Sequence, residues 1–173
     1  MKSNIIIIGF ISTGKSAVGK ALGERLDRKV IDIDQMIHYH TGKSPGEIFE
    51  ADGEITFREM EIEHIKWASR NKNIIISLGG GAVVNRINID RLKLNGTVFL
   101  LTATLEEIID RTACQESRPI LDADDREEAL QKLWEERSCL WGPAADVFVD
   151  TSDKSVDDVV EEILGYLDDM KSK

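Results

Sequence analysis

Residues 9–16 read GFISTGKS, and this octet decides the fold. It matches G-x-x-x-x-G-K-[ST]. The β-branched run Ile5–Ile8 precedes it, and Val18, Leu22 and Leu26 recur every four residues after it. A buried strand, a glycine-containing loop and a helix, in that order, are the context a phosphate-binding loop requires. The chemistry explains the residue types. Without side chains at Gly9 and Gly14, backbone N–H groups can converge on phosphate oxygens. The following helix adds the positive end of its dipole. Lys15 brings a charge to the β- and γ-phosphates, and Ser16 offers a hydroxyl to Mg²⁺. The expected nucleotide-binding set is Gly9, Ser12, Thr13, Gly14, Lys15, Ser16 and Ala17, with ATP as the ligand.

The same punctuation continues along the chain. Val30–Ile33, Ile74–Ile76, Val98–Leu101 and Val147–Val149 are further short apolar runs, continuous rather than alternating. Such runs fit parallel strands buried on both faces. Helical patterns separate them, ending in a stripe at Val156, Val160, Ile163/Leu164 and Leu167. These features predict an α/β sandwich with a parallel sheet of about five strands. A length of 173 residues suggests one domain spanning 1–173.

Composition narrows the function. A net charge of −10 argues against a general role on nucleic acid or an anionic membrane. No apolar run approaches the ~20 residues of a membrane span. Cys114 and Cys139 have no metal-ligand spacing, and with no secretory signal they read as reduced thiols of a cytoplasmic protein. His38, His40 and His64 are scattered over expected helices and are assigned no chemistry. Two stretches read as mobile: residues 44–70, as helices broken at Gly53, and residues 112–128, which have little periodicity.

A phosphate loop also calls for an aspartate at a strand end to help hold the metal. Residues 30–34, VIDID, offer Asp32 and Asp34; residues 147–150, VFVD, offer Asp150. Asp32 and Asp34 would point the same way from an extended strand end, so one could serve the metal and the other a substrate hydroxyl. Asp150 could instead start the next helix. The pair is the better fit.

Three further segments complete the pattern: TGKSPGEIFEADGEITFREMEIE at 41–63, GGG at 79–81, and SRPIL at 117–121. Together with the loop and D-x-D, the set G-E-x-x-F-R-x-x-E, G-G-G and R-P-[IL]-L resembles shikimate kinase, from the first strand to about residue 150. That resemblance implies transfer of the γ-phosphate of ATP to the 3-hydroxyl of shikimate, a step of aromatic amino-acid biosynthesis. It implies a nucleoside-monophosphate-kinase fold with strand order 2-3-1-4-5, acceptor-binding helices over about 34–70, and a lid over about 113–125. It also implies two small-molecule substrates and a monomer. Asp34 would hold shikimate hydroxyls nearest the attacking oxygen. Arg58 would grip the carboxylate, oriented by Glu61, while Phe49 and Phe57 would wall the ring. Arg137 would be a second carboxylate-binding arginine, and Arg118 would meet the ATP phosphates when the lid closes. Asp32 would lie near Mg²⁺.

Two readings of single residues support this. Arg58 and Glu61 share a helical face at i and i+3, and a planar guanidinium matches a carboxylate. Arg137 follows Leu133 and Trp134 by four and three residues, beside an apolar stripe. Gly79, Gly80 and Gly81 end the third strand, at the edge where open α/β sheets bind ligands. A polyol ring against bare backbone would explain all three, with a Cβ at the middle position occupying the ring's space; a turn with positive φ would explain one or two. There are two departures from the family pattern: Trp141 and Pro143 stand where a tyrosine and an acidic residue are common, and Pro45 stands where an isoleucine usually follows GKS, at an expected helix start that tolerates proline. The competing readings are a gluconate kinase, a nucleoside monophosphate kinase or a non-catalytic nucleotide binder. The first needs no F-R-x-x-E with GGG, and the second wants more arginines. The third has no use for an acceptor pocket.

Overall fold

The computed structural model describes residues 2–113 and 126–172. Five parallel strands form one sheet: β1 (Asn4–Gly9), β2 (Val30–Asp32), β3 (Ile75–Ser77), β4 (Gly96–Thr102) and β5 (Val147–Asp150). Their order is β2-β3-β1-β4-β5, as the resemblance implied. β1 is buried along its whole length, as expected for a central strand covered on both faces. The edge strand β5 departs from the continuous-burial expectation: Val147 and Val149 are buried, while Phe148 is 56% exposed.

Two apolar layers flank the sheet. Ile5, Ile7, Val18, Leu22 and Phe99 meet α7 (Val156–Lys171) through Val159, Val160 and Ile163 on one face. Ile6, Ile8, Ile31, Ile76, Val98 and Leu100 form the other layer with α2 (Ile33–Thr41), α3 (Pro45–Ala68), α4 (Arg86–Lys93) and α6 (Arg126–Ala144). α1 (Lys15–Leu26) follows the phosphate loop, and α5 (Leu105–Ala113) follows β4. The aperiodic stretch is therefore shorter than the sequence suggested. Thr112 and Ala113 complete α5, and Arg126–Glu128 begin α6. The proposed lid and Cys114 fall in residues 114–125, outside the described residues. Cys139 is a free, exposed thiol.

The second layer positions the site. Ser44 caps α3 in a reciprocal capping box with Glu47, and Pro45 takes the tolerated first position. The break expected in α3 is real: Gly53 sits at φ 85, ψ 161, inside an otherwise helical run. His40 and His64 tie α2 to α3, with Nδ1 and Nε2 separated by 2.9 Å. His64 Nδ1 lies 2.6 Å from the Met60 carbonyl, so the proton on that nitrogen is donated there and His40 is the donor in the pair. Among the described residues no helix is long and apolar enough to cross a membrane.

Candidate active site

The phosphate loop is shaped by three residues with positive φ: Gly9 (152), Ser12 (59) and Gly14 (86). A Cβ at Gly9 would fall 2.8 Å from Thr13 Oγ1 and against the Leu101 carbonyl, so only glycine fits there. Gly14 occupies the N-cap of α1, leaving the first amides of that helix open toward the loop. Thr13 is fully buried and donates its hydroxyl to the Phe10 carbonyl at 2.9 Å. Lys15 Nζ reaches the same carbonyl at 2.5 Å, folded back across the loop it is expected to serve.

Arg111 braces this loop from α5. Its Nη1 donates to the Ser12 carbonyl at 3.3 Å and to Thr151 Oγ1 at 3.0 Å, and Nη2 donates to the Thr151 carbonyl at 2.7 Å. Sequence reading missed it. The only local signal was an ordinary i,i+4 pair with Glu107, indistinguishable from a surface ion pair.

Ser16 Oγ donates to Asp32 Oδ2 at 2.7 Å. A loop hydroxyl and a strand-end carboxylate therefore meet in space from positions sixteen residues apart. The alternative aspartate is occupied elsewhere: Asp150 Oδ1 accepts from the Ser152 amide at 3.1 Å and hydroxyl at 2.9 Å. The favoured pair does not have the expected geometry. Asp32 is the last residue of β2 and the N-cap of α2, accepting from the Gln35 amide at 3.1 Å. Asp34 lies in the first helical turn, so the two carboxylates do not share one face of an extended strand. Asp32 prefers the cap because a short carboxylate there satisfies an open amide. That ends the strand one residue early and turns Asp34 toward the loop after β3.

A cavity of about 680 Å³ opens beside the phosphate loop. It brings together Asp34, Phe49, Phe57, Arg58, Glu61, Gly79, Gly80, Gly81 and Arg137, from α2, α3, the loop after β3 and α6. Ile11 of the phosphate loop is also part of the wall. Arg58 is held on several sides. Glu61, fully buried, accepts from its Nη1 at 3.1 Å, and the exposed Glu54 accepts from Nε at 3.2 Å and Nη2 at 3.0 Å. The Phe49 and Phe57 rings lie 5.7 and 5.5 Å from its Cζ, within cation–π range. Burial pushes the Glu61 carboxyl up to about 7, against the pull of Arg58. Burial also lowers the Arg137 pKa, and the like charge of Arg58 adds to that effect. Two guanidinium groups thus share one cavity, and Arg137 makes no hydrogen bond or ion pair among the described residues.

The glycine triplet corrects an expectation. None of the three has positive φ, so no left-handed turn demands them. A Cβ on Gly79 would overlap the Asp34 carboxylate, and one on Gly81 would lie 2.6 Å from Arg58 Nη1 and 2.7 Å from its Cζ. At Gly80 the nearest atoms are Gly9 O and Ile11 N, both 3.6 Å away. A Cβ at the middle position would therefore lie toward the phosphate loop, although Gly80 backbone also lines the cavity. The outer two are bare because the acceptor side chains themselves press against the backbone.

Trp141 retains a packing role. It is buried, with its ring 5.3 Å from Phe10 and 5.4 Å from Trp134, both edge-on. The cluster supports the phosphate loop at Phe10. Arg118 falls in residues 114–125, outside the described residues.

A phosphate loop on this sheet, beside a carboxylate and two arginines in a ring-sized cavity, defines a P-loop kinase of a small anionic acceptor. A profile of the shikimate kinase family matches residues 11–168. The shikimate kinase of Caldanaerobacter subterraneus subsp. tengcongensis is 40% identical over 161 residues, 93% of this chain and 94% of that one. The solved structure of Acinetobacter baumannii shikimate kinase in complex with shikimate superposes with a TM-score of 0.93 at 31% identity, covering 99% of this chain and 96% of that chain. A gluconokinase from Sinorhizobium meliloti, with a TM-score of 0.58 and 14% identity over 98% of this chain and 93% of that one, shares the fold alone. The chain belongs to the shikimate kinase family, phosphotransferases that use ATP as co-substrate.

Proposed function

We propose that this chain transfers the γ-phosphate of ATP to the 3-hydroxyl of shikimate, with the roles below. The observation that carries the reading is the junction of the two sites. The cavity holding Arg58 and Arg137 shares Gly80 and Ile11 with the phosphate loop, so an anchored acceptor lies next to the terminal phosphate. Arg58 forks the carboxylate, Glu61 fixes the fork, and Arg137 supplies the second charge. Phe49 and Phe57 exclude water from one side of the ring. Asp34 orients the acceptor hydroxyl. Positioning carries much of the chemistry here, because phosphoryl transfer passes through a loose transition state.

Lys15 and the loop amides stabilise charge on the transferring group. Ser16 and Asp32 suit a hard cation, which takes oxygen ligands; they would hold Mg²⁺, whose chemistry there is to neutralise phosphate charge. Arg118 is assigned to the phosphates and residues 113–125 to a lid that excludes water. The protein is proposed to work as a cytoplasmic monomer with small-molecule substrates, without nucleic-acid or membrane partners.

A coupled ADP-release assay with Mg-ATP tests the reading, with shikimate and gluconate as separate acceptors. ADP release with shikimate and not gluconate is expected. Folded, ATP-binding protein that releases none with shikimate would overturn it.

A further inference from the structure

The acceptor cavity contains a carboxylate of the protein itself, set against Arg58. Glu54 Oε1 accepts from both Nε and Nη2 of Arg58, at 3.2 and 3.0 Å. Those two donors form one edge of the guanidinium. Glu61 holds Nη1 from the buried side. The two glutamates differ in accessibility: Glu61 is fully buried, whereas the Glu54 side chain is 63% exposed at the cavity mouth. Glu54 directly follows Gly53, the non-helical joint of α3, and a Cβ at Gly53 would meet nothing within 4 Å. The joint is therefore set by backbone conformation and not by packing, and the residue after it has room to move. Glu54 also exerts an attraction on Arg137 across the cavity, so one carboxylate offsets both arginines.

We propose that Glu54 is a displaceable internal counter-ion: it occupies the Arg58 edge in the ligand-free chain and yields it to the carboxylate of the acceptor. The inference rests on the acceptor reading given above. Glu54 offers one oxygen to two donors, whereas an incoming carboxylate can place two oxygens in parallel on the same edge, the stronger arrangement. An exposed ion pair is weak enough to be exchanged. A neutral ring has nothing to exchange for it, so Glu54 discriminates against acceptors that lack the acid. It also offsets the repulsion between Arg58 and Arg137.

Glu54→Gln removes the competing charge and keeps the side-chain size at an exposed position. Isothermal titration should show shikimate binding about two- to fivefold tighter in the variant, the range expected for loss of an exposed competing pair. Shikimate methyl ester should show no such gain, and ATP affinity measured without acceptor is the control. In parallel, the ¹⁵N signal of Arg58 Nε, assigned by its loss in Arg58→Lys, should move on Glu54→Gln in the ligand-free protein. Saturating shikimate should bring the two signals together. Equal or weaker shikimate binding by the variant, or an unmoved Arg58 signal, would overturn the proposal. Propanoate, a bare carboxylate, separates the two readings. Tighter propanoate binding in the variant, with no shikimate binding by either protein, would break the acceptor assignment and keep the counter-ion. Equal propanoate binding by both proteins would break the counter-ion and leave the assignment standing.

Discussion

The phosphate loop and the acceptor cavity share a wall, yet they hold charge by opposite means. The loop is built from backbone: Gly9, Ser12 and Gly14 take positive φ, and Thr13 and Arg111 hold the Phe10 and Ser12 carbonyls. Its positive potential is fixed when the chain folds. The cavity is built from side chains drawn from α2, α3 and α6, and its positive charges are held by carboxylates of graded burial, Glu61 within and Glu54 at the mouth. A backbone site presents phosphate with a ready-made partner. A side-chain site can exchange partners, and so it can discriminate.

Lys15 is where the comparison is broken most severely. Its ammonium is a side-chain charge on a loop otherwise built from backbone, resting at the Phe10 carbonyl. Lys15→Met should lower kcat by about 10²–10³-fold or more, since it removes a donor to the transition state. Circular dichroism should be little changed, because Lys15 is not among the buried core residues. Retained turnover would refute the phosphate-loop assignment.

Arg58→Lys probes the other side. It keeps the charge and removes the fork. Loss of a charged hydrogen bond, about 2–3 kcal/mol, corresponds to roughly 30- to 150-fold in kcat/KM for shikimate. ATP binding without acceptor should not change. A loss under about threefold would return Arg58 to an ordinary ion pair.

Glu61 supplies a pH test. Unfolded, its carboxyl releases its proton near 4.5; folded, it keeps the proton to about 7. Between those values the native state binds the additional proton, so this group's contribution to stability falls as pH rises and is fully lost above about 7. The loss should be on the order of 3 kcal/mol. In Glu61→Gln, denaturant unfolding followed from pH 5 to 8.5 should lack that decline. Shikimate binding should nevertheless weaken, because Arg58 loses its inner anchor. A decline that survives in the variant would assign the effect to another group.

The two regions also differed in how far they could be read in advance. GFISTGKS is contiguous, so its spacing alone carried the strand, the loop, the helix and the ligand class. The acceptor site comes from separate elements, and its membership needed the combined pattern of Asp34, Arg58, Gly79–Gly81 and Arg137. Geometry was harder still. Nothing in VIDID reveals that Asp32 will stop the strand by capping α2, because strand and cap compete for the same residue. Nothing near Arg111 marks it as a brace, since its partners Ser12 and Thr151 are far away in sequence. The glycines were legible as a close approach, but what approaches could be seen only once Asp34 and Arg58 were placed.

That last point yields the finest test, within the triplet itself. Gly81→Ala would put a methyl group where the Arg58 guanidinium lies. The far end of the Arg58 side chain can shift by giving up part of its contact with Glu54, so Tm should move by less than about 4 °C, equivalent to about 1 kcal/mol. The shifted fork should still lower kcat/KM for shikimate about tenfold, because small misplacements of a positioning group carry large penalties. Gly80→Ala should do far less. Its methyl would make ordinary contacts at 3.6 Å with Gly9 O and Ile11 N, on the phosphate-loop side. A change of under about threefold for shikimate is expected, and any residual effect should fall on ATP. If Gly80→Ala impairs shikimate use as much as Gly81→Ala, the acceptor ring lies against the Gly80 backbone. The triplet would then serve the ligand directly, and not through the side chains that grip it.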